Sequence, residues 1–195
     1  MKLIVLTAPS GAGKTTIARR LMTAVPGLVF SVSATTRAPR PRETDGVDYH
    51  FLTLGDFAER LAAGHFVEHE EVYPGRFYGT LAPELETLAR APGTRAVVLD
   101  VDVKGAANVK RLYGAQALTL FIQPPSLDAL AARLFSRGTE DPDQIALRLA
   151  RAEMEMRAAP SFDVVVVNDD LDEAVAETVA CVEAFLGDQE VGNGK

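Results

Sequence analysis

The chain of 195 residues holds a single cysteine, Cys181. No internal disulfide and no cysteine-rich metal site can form, so this thiol reads as a small packing side chain on the last helix. Histidine is scarce too. His50, His65 and His69 lie scattered in one polar region and offer no His-centred triad. Positive charge is in deficit, with 20 Lys and Arg against 27 Asp and Glu, a net charge of −7. That balance argues against nucleic acid as a partner, because affinity there comes from clustered cations neutralising phosphates. It leaves room for a small phosphorylated ligand held by a few local arginines. No apolar run approaches the roughly 20 residues of a membrane span. The opening run Met1-Lys2-Leu3-Ile4-Val5-Leu6 is too short for a secretory signal and leads straight into a glycine-rich turn. A cytoplasmic protein is the expectation. Hydrophobic residues at 47% and charged residues at 24% match globular averages, and the length suits one α/β domain with a real core.

Residues 2–7 are β-branched and aliphatic and are closed by Pro9 and Gly11, which predicts a buried strand. Helical spacing of Ile17, Leu21 and Met22 predicts a helix over 15–25, stopped by Pro26-Gly27. A short apolar run follows at 28–32. The next segment, 33–48, is rich in Arg and Pro, and no core could absorb it. Short strands are expected at 49–52, 66–72 and 77–78, with a helix near 54–63. Beyond them strands at 95–101, 117–122 and 162–167 alternate with helices at 103–113, 126–136, 142–157 and 171–186. Such alternation implies a parallel sheet covered on both faces. The polar, Gly-rich stretch 187–195 reads as a frayed tail.

Between the first strand and the first helix stands Ala8-Pro9-Ser10-Gly11-Ala12-Gly13-Lys14-Thr15, followed by Thr16. Strand, glycine loop and helix in that order are the context that makes such a run a phosphate-binding loop. Glycines let backbone N–H groups turn toward phosphates, and the helix start adds its positive end. Lys14 is expected to reach the β- and γ-phosphates, and the Thr15 hydroxyl to help hold Mg²⁺. The first position of the pattern, usually Gly, is Ala8, which is tolerable if its φ stays negative. A second piece is the acidic pair Asp100 and Asp102 at the end of a buried strand, where open α/β sheets place their ligands. Asp100 is the candidate for a water-mediated Mg²⁺ contact, and helix N-capping is the alternative for either carboxylate.

Arg37, Arg40 and Arg42 fall within six residues of an acidic chain, with Pro39 and Pro41 stiffening the loop between them. Guanidinium groups held in place suit bidentate binding of a phosphate. Tyr49 and Tyr78 are candidates to add phenolic donors to the same anion.

Residues 33–48 with Tyr49-His50-Phe51, then Phe66-Val67-Glu68-His69, Phe77-Tyr78-Gly79-Thr80, the run from Leu99 through Asp100, Asp102, Lys104 and Gly105 to Ala106, and Val167-Asn168-Asp169-Asp170-Leu171 together resemble guanylate kinase. The resemblance spans residues 3–186. It implies a three-layer α/β P-loop NTPase fold with a mostly parallel central sheet, a small mixed GMP-binding subdomain and a helical lid. It also implies one domain over 1–186, with a core at 1–32, 81–125 and 158–186, a GMP-binding region at 33–80 and a lid at 126–157. Arg37, Arg40, Tyr49 and Tyr78 would bind the GMP phosphate, and Ser33, Glu68, Thr80 and Asp102 would surround the guanine. Arg133, Arg137 and Arg148 would lie on the lid over ATP, and Asn168 near the adenine. This chain departs from the family in having Lys104 for the usual Gln, Arg76 for a common Asn, and one more residue in 72–76.

The implied reaction, ATP and Mg²⁺ with GMP or dGMP, needs no general base, because the attacking phosphate oxygen is already ionised. Lys14, Arg37, Arg133, Arg137 and Arg148 would then act by positioning and charge neutralisation. One carboxylate such as Glu68 can accept both the N1–H and the N2–H₂ of guanine, a pair that AMP lacks, and the hydroxyls of Ser33 or Thr80 can donate to O6. A ribose bisphosphate phosphokinase-like enzyme would not need such a base-reading set. A non-catalytic binding module of the same fold would typically lack Lys14 or the lid arginines. The last helix or the exposed lid leaves a homodimer contact open.

Overall fold

The computed structural model describes residues 1–136 and 142–187. Its strands and helices are β1 (Leu3–Thr7), α1 (Lys14–Ala24), β2 (Leu28–Phe30), β3 (Ala34–Thr35), β4 (His50–Phe51), α2 (Leu54–Ala62), β5 (Phe66–Tyr73), β6 (Arg76–Leu81), α3 (Ala82–Arg90), β7 (Ala96–Asp100), α4 (Val103–Tyr113), β8 (Ala117–Gln123), α5 (Leu127–Ser136), α6 (Pro142–Met156), β9 (Val164–Val167) and α7 (Leu171–Gly187). A five-stranded sheet runs β2-β7-β1-β8-β9, with β2 parallel to β7 and β8 parallel to β9. A mixed sheet runs β4-β3-β6-β5. The aliphatic side chains of β1 and β7 and the middle of β8 are buried on both faces, as strands sandwiched between helices require. The chain divides into two compact units, 1–5 with 27–117, and 6–26 with the residues from 118 onward.

The first unit contains the mixed sheet. β5 and β6 form a hairpin closed by Pro74 and Gly75, with Gly75 at φ 74°. The register shifts between Glu71 and Tyr73, an irregularity in β5 that falls where the sequence was expected to carry one more residue. α2 begins with a reciprocal capping box between Thr53 and Asp56 and lays Phe57 on Phe66 at 4.3 Å between ring centroids. Two elements escaped the sequence reading. α3 has Leu85 as its one buried residue, too little for a visible apolar stripe. β3 is two residues long and exists because β6 and β4 pair with it.

In the second unit Arg20 of α1 is paired with Asp172 of α7 at 2.5 Å. Asp163 ties the start of β9 to β8 by accepting from both the N–H and the hydroxyl of Thr119. α5 and α6 share a small core of Leu130, Leu134, Ile145 and Ala152. The strand expected at 162–167 starts later, at Val164, because a 3₁₀ turn at Ala159–Ser161 precedes it. Gly187 ends α7 rather than beginning a tail. Residues 188–195 of the expected tail lie outside the described residues, as do residues 137–141 of the expected lid.

Candidate active site

The loop after β1 takes the shape its sequence predicts. Gly11 and Gly13 have φ of 97° and 99°, a region closed to most side chains, and Ala12 N–H donates to the Pro9 carbonyl at 3.0 Å. Among the described residues Arg42 is the one non-glycine with positive φ. Ala8 therefore keeps the negative φ that lets it replace glycine. Gly13 also has no room for a Cβ, which would collide with the Asn168 amide, and one on Gly11 would come within 2.9 Å of Leu134. α1 starts at Lys14 with Gly13 as its cap, no side-chain cap and no acidic residue in its first turn. α2, by contrast, is capped by Thr53 and Asp56, and α4 by Asp102, which accepts from Gly105 N–H at 2.8 Å. The end left without its own anion is the one that follows the glycine loop, where an anion fits. Thr15 and Thr16 are exposed on the first turn.

Other elements of the second unit converge on this loop. Asn168, buried at the end of β9, donates its amide to the Ala12 carbonyl at 2.7 Å. The position that the resemblance puts near the adenine thus also braces the loop itself. Arg133 of α5 donates to the Asn168 carbonyl at 2.8 Å, and Arg148 of α6 donates to the Ser10 hydroxyl at 3.0 Å. Arg151 of α6 and Arg157 just beyond its end instead pair with Glu155 and Glu153 of that helix. Arg137 lies outside the described residues.

The phosphate-binding candidates of the first unit are brought together. Thr35 and Thr36 pin the arginine loop to β6 and the turn before it, donating to the carbonyls of Phe77 and Gly75. Arg37 then lies 5.1 Å from the Tyr49 ring centroid, and Tyr49 meets Tyr78 edge-on at 5.9 Å. Sequence reasoning missed Glu43. It accepts a bidentate pair from Arg37 at 2.7 and 2.9 Å and a third bond from Arg40 N–H at 2.7 Å. These bonds, the one to the guanidinium foremost, pull the Glu43 carboxyl down to about 2 and hold Arg37 charged above its usual range. Burial raises the Tyr49 phenol. Arg40 itself is exposed. Nothing in the residue pattern singled Glu43 out from the other acids of 33–48.

Glu68 is the buried acid of this unit, 7% exposed on β5, and Thr80 of β6 donates to its Oε1 at 2.6 Å. Burial pushes its carboxyl up to about 7. The Thr80 hydrogen bond opposes that rise, and the nearby Asp102 charge adds to it. Thr80, a candidate donor to O6 of a base, donates to Glu68 in this structure. Ser33 is half-buried beside β3. Asp102, placed by resemblance around guanine, is the N-cap of α4, and Asp100 ends β7. Gly105 was also missed as a functional position. A Cβ there would sit 2.6 Å from Glu68 Oε2, so the helix must carry glycine to leave the carboxylate space. The one available signal was a glycine inside a predicted helix. Lys104, the departure from Gln, is ion-paired with Glu70 across from α4 to β5.

A glycine cradle of this form, at an uncapped helix start after a buried strand, defines a P-loop nucleotide-binding protein. The guanylate kinase family model matches residues 1–185. A guanylate kinase of Salinibacter ruber is 59% identical over 184 residues, covering 94% of this chain and 96% of its own length. One of Bacteroides fragilis is 48% identical over 186 residues, covering 95% and 90%. The crystal structure of guanylate kinase from Anaplasma phagocytophilum matches with a TM-score of 0.74 at 30% identity, covering 94% of this chain and 85% of that one. The chain belongs to the guanylate kinase family.

Proposed function

We propose that the two units divide the substrates, the first taking GMP or dGMP and the second ATP. The activity is that of the family: ATP:GMP phosphotransfer, with ATP as co-substrate and Mg²⁺ as metal. The observation that carries the acceptor assignment is the buried carboxylate of Glu68, held by Thr80 and given space by Gly105. A carboxylate there accepts two donors from one edge of a base, which guanine presents and adenine does not. Sites built on such hydrogen bonds reject the analogue lacking them by roughly 10⁴. Ser33 takes O6, while Asp102 completes the guanine pocket. Arg37, Arg40, Tyr49 and Tyr78 take the GMP phosphate, and Glu43 orients Arg37 for it.

On the donor side residues 8–16 cradle the phosphates through backbone N–H groups, and Lys14 neutralises charge on the transferring group. Arg133, Arg137 and Arg148 add to that neutralisation, and Asn168 braces the cradle and lies near the adenine. Among the described residues no three His, Cys, Asp or Glu are grouped to hold a metal. The candidate protein contacts are a hydroxyl, Thr15, and a carboxylate, Asp100, acting through water. Both are hard oxygen donors, which suits Mg²⁺, an ion that keeps its waters and phosphate oxygens. When bound, the metal supplies charge neutralisation at the phosphates.

Residues 1–186 form one kinase domain in this proposal, with 33–80 as its GMP-binding region and 126–157 as its lid. No described helix is long and apolar enough to cross a membrane. Soluble nucleotides as substrates suit a cytoplasmic enzyme, and the net charge of −7 disfavours nucleic acid as a ligand. The test is ADP release from Mg-ATP with GMP, dGMP, AMP, CMP, UMP or ribose 1,5-bisphosphate as acceptor. Strong turnover with GMP and little with AMP is expected. Turnover with the ribose bisphosphate alone would move the assignment to a sugar phosphokinase, and ATP binding without any turnover would leave a binding module.

A further inference from the structure

Glu84 belongs to none of the sets assigned above, yet its carboxylate joins the segment that leads into β3 to the first residue of β4, and an acceptor-site residue adjoins each. It sits in the first turn of α3, where the helix end favours an anion. Its Oε1 accepts from Val32 N–H at 2.9 Å, and its Oε2 is 2.6 Å from His50 Nε2. Val32 precedes Ser33, and His50 follows Tyr49. A third bond closes the ring, because His50 N–H donates to the Ser33 carbonyl at 2.9 Å. Ser33 thus stands between two backbone groups whose positions Glu84 helps to set. Glu84 and His50 are both half-buried, so this pair is less screened than a surface one.

We propose that Glu84 is a positioning residue for acceptor binding, which acts through Val32 and His50 to hold Ser33 and Tyr49 in their places just ahead of β3 and β4. The inference rests on the reading that Ser33 and Tyr49 contact GMP. Both partners of Glu84 belong to the first unit, so its effect falls on the acceptor. Small displacements of positioning groups are costly at such sites.

The experiment is steady-state kinetics with GMP and ATP varied separately. E84A should raise KM for GMP about tenfold, with KM for ATP and kcat within about twofold of the parent. E84Q keeps an oxygen for Val32 N–H and an amide that can donate to a neutral imidazole, so it should recover most of the loss. H50A removes one arm and should give a smaller rise, and E84A/H50A should be no worse than E84A alone. An unchanged KM for GMP in E84A, or a loss shared equally by kcat and both KM values and not rescued in E84Q, would overturn the proposal. Should E84A fail to fold, H50A decides: a raised KM for GMP supports the link, and an unchanged one removes it. S33A and Y49F separate the two layers. If both raise KM for GMP and E84A does not, the inference alone falls. If neither does, the acceptor assignment fails and this inference goes with it.

Discussion

On the proposed division of substrates, the two units hold a phosphorylated nucleotide by different means. In the second the backbone does most of the work. Glycines at positive φ shape the loop, α1 is left uncapped, and the side chains of Asn168 and Arg133 bond to main-chain carbonyls. In the first, side chains hold one another: Arg37 with Glu43, Glu68 with Thr80, His50 with Glu84 and Lys104 with Glu70. A triphosphate is much the same in every nucleotide, so a fixed main-chain cradle suffices. A base must be told from its analogues, which requires donors and acceptors in a chosen pattern. The consequence is that the first unit should tolerate graded damage, whereas the second should fail abruptly.

The sharpest test of that contrast is at the cradle. Lys14→Met should lower kcat by about 10³ or more while leaving GMP binding intact, since the lost charge acts on the transferring group. Gly13→Ala should come close, because its Cβ would collide with Asn168 and its φ of 99° is strained for alanine. Thermal unfolding should register that strain as a loss of about 1–3 kcal/mol. Near-parental turnover in either variant would break the comparison.

Next in size is Arg148→Ala. Its guanidinium donates to the Ser10 hydroxyl of the cradle at 3.0 Å. Removing a preorganised charge that acts in the transition state should cost about 10² in kcat. GMP affinity measured by calorimetry should change less than about twofold. Equal losses in turnover and GMP binding would show that Arg148 does not belong to the donor side alone.

Glu68→Gln sharpens the other half. The amide retains one acceptor but introduces a donor facing guanine N–H groups. We expect kcat/KM for GMP to fall about 10²-fold, within the range by which buried hydrogen-bonding sites discriminate. The ratio of GMP to AMP turnover should narrow by the same factor, because AMP never satisfied the carboxylate. An unchanged ratio would place the base-reading group elsewhere.

The difference between the units also explains what the sequence disclosed. The cradle is one contiguous run whose function is encoded in glycine spacing, so Gly11, Gly13, Lys14 and Thr15 are legible in the order of residues alone. The central strands are equally plain, since strands such as 96–100 are apolar throughout most of their length. Arg37, Tyr49, Glu68 and Tyr78 could be nominated as chemistry, and the structure gathers them in one unit. Glu43, Glu84 and Gly105 could not, because each matters only through a partner distant in sequence or is one acid among many. Asp102 was nominated for guanine while its visible bond is a helix cap, a local role that residue type alone could not separate from the other. α3 remained hidden because one buried leucine makes no periodic pattern.

The smallest expected effect is on pH, and it concerns Glu68 again. Burial raises its carboxyl from near 4.5 to about 7 in the folded protein. Guanine binding requires the carboxylate, so KM for GMP should rise as pH falls below 7, by about tenfold between pH 8 and pH 6. The GMP phosphate titrates near pH 6 as well, which E68Q controls for, since only the phosphate's contribution should persist in that variant. The same shift has a stability consequence of definite sign. With the folded value above the unfolded one, the folded state holds the proton more tightly between pH 4.5 and 7. The contribution is therefore fully present below about pH 4.5 and is lost as pH rises through about 7, amounting to on the order of 3 kcal/mol. E68Q should be more stable than the parent at pH 8 and little different at pH 4.5. A parent whose stability relative to E68Q does not change across that window would mean that Glu68 stays ionised throughout, and the pH dependence of GMP binding would then have to come from the phosphate alone.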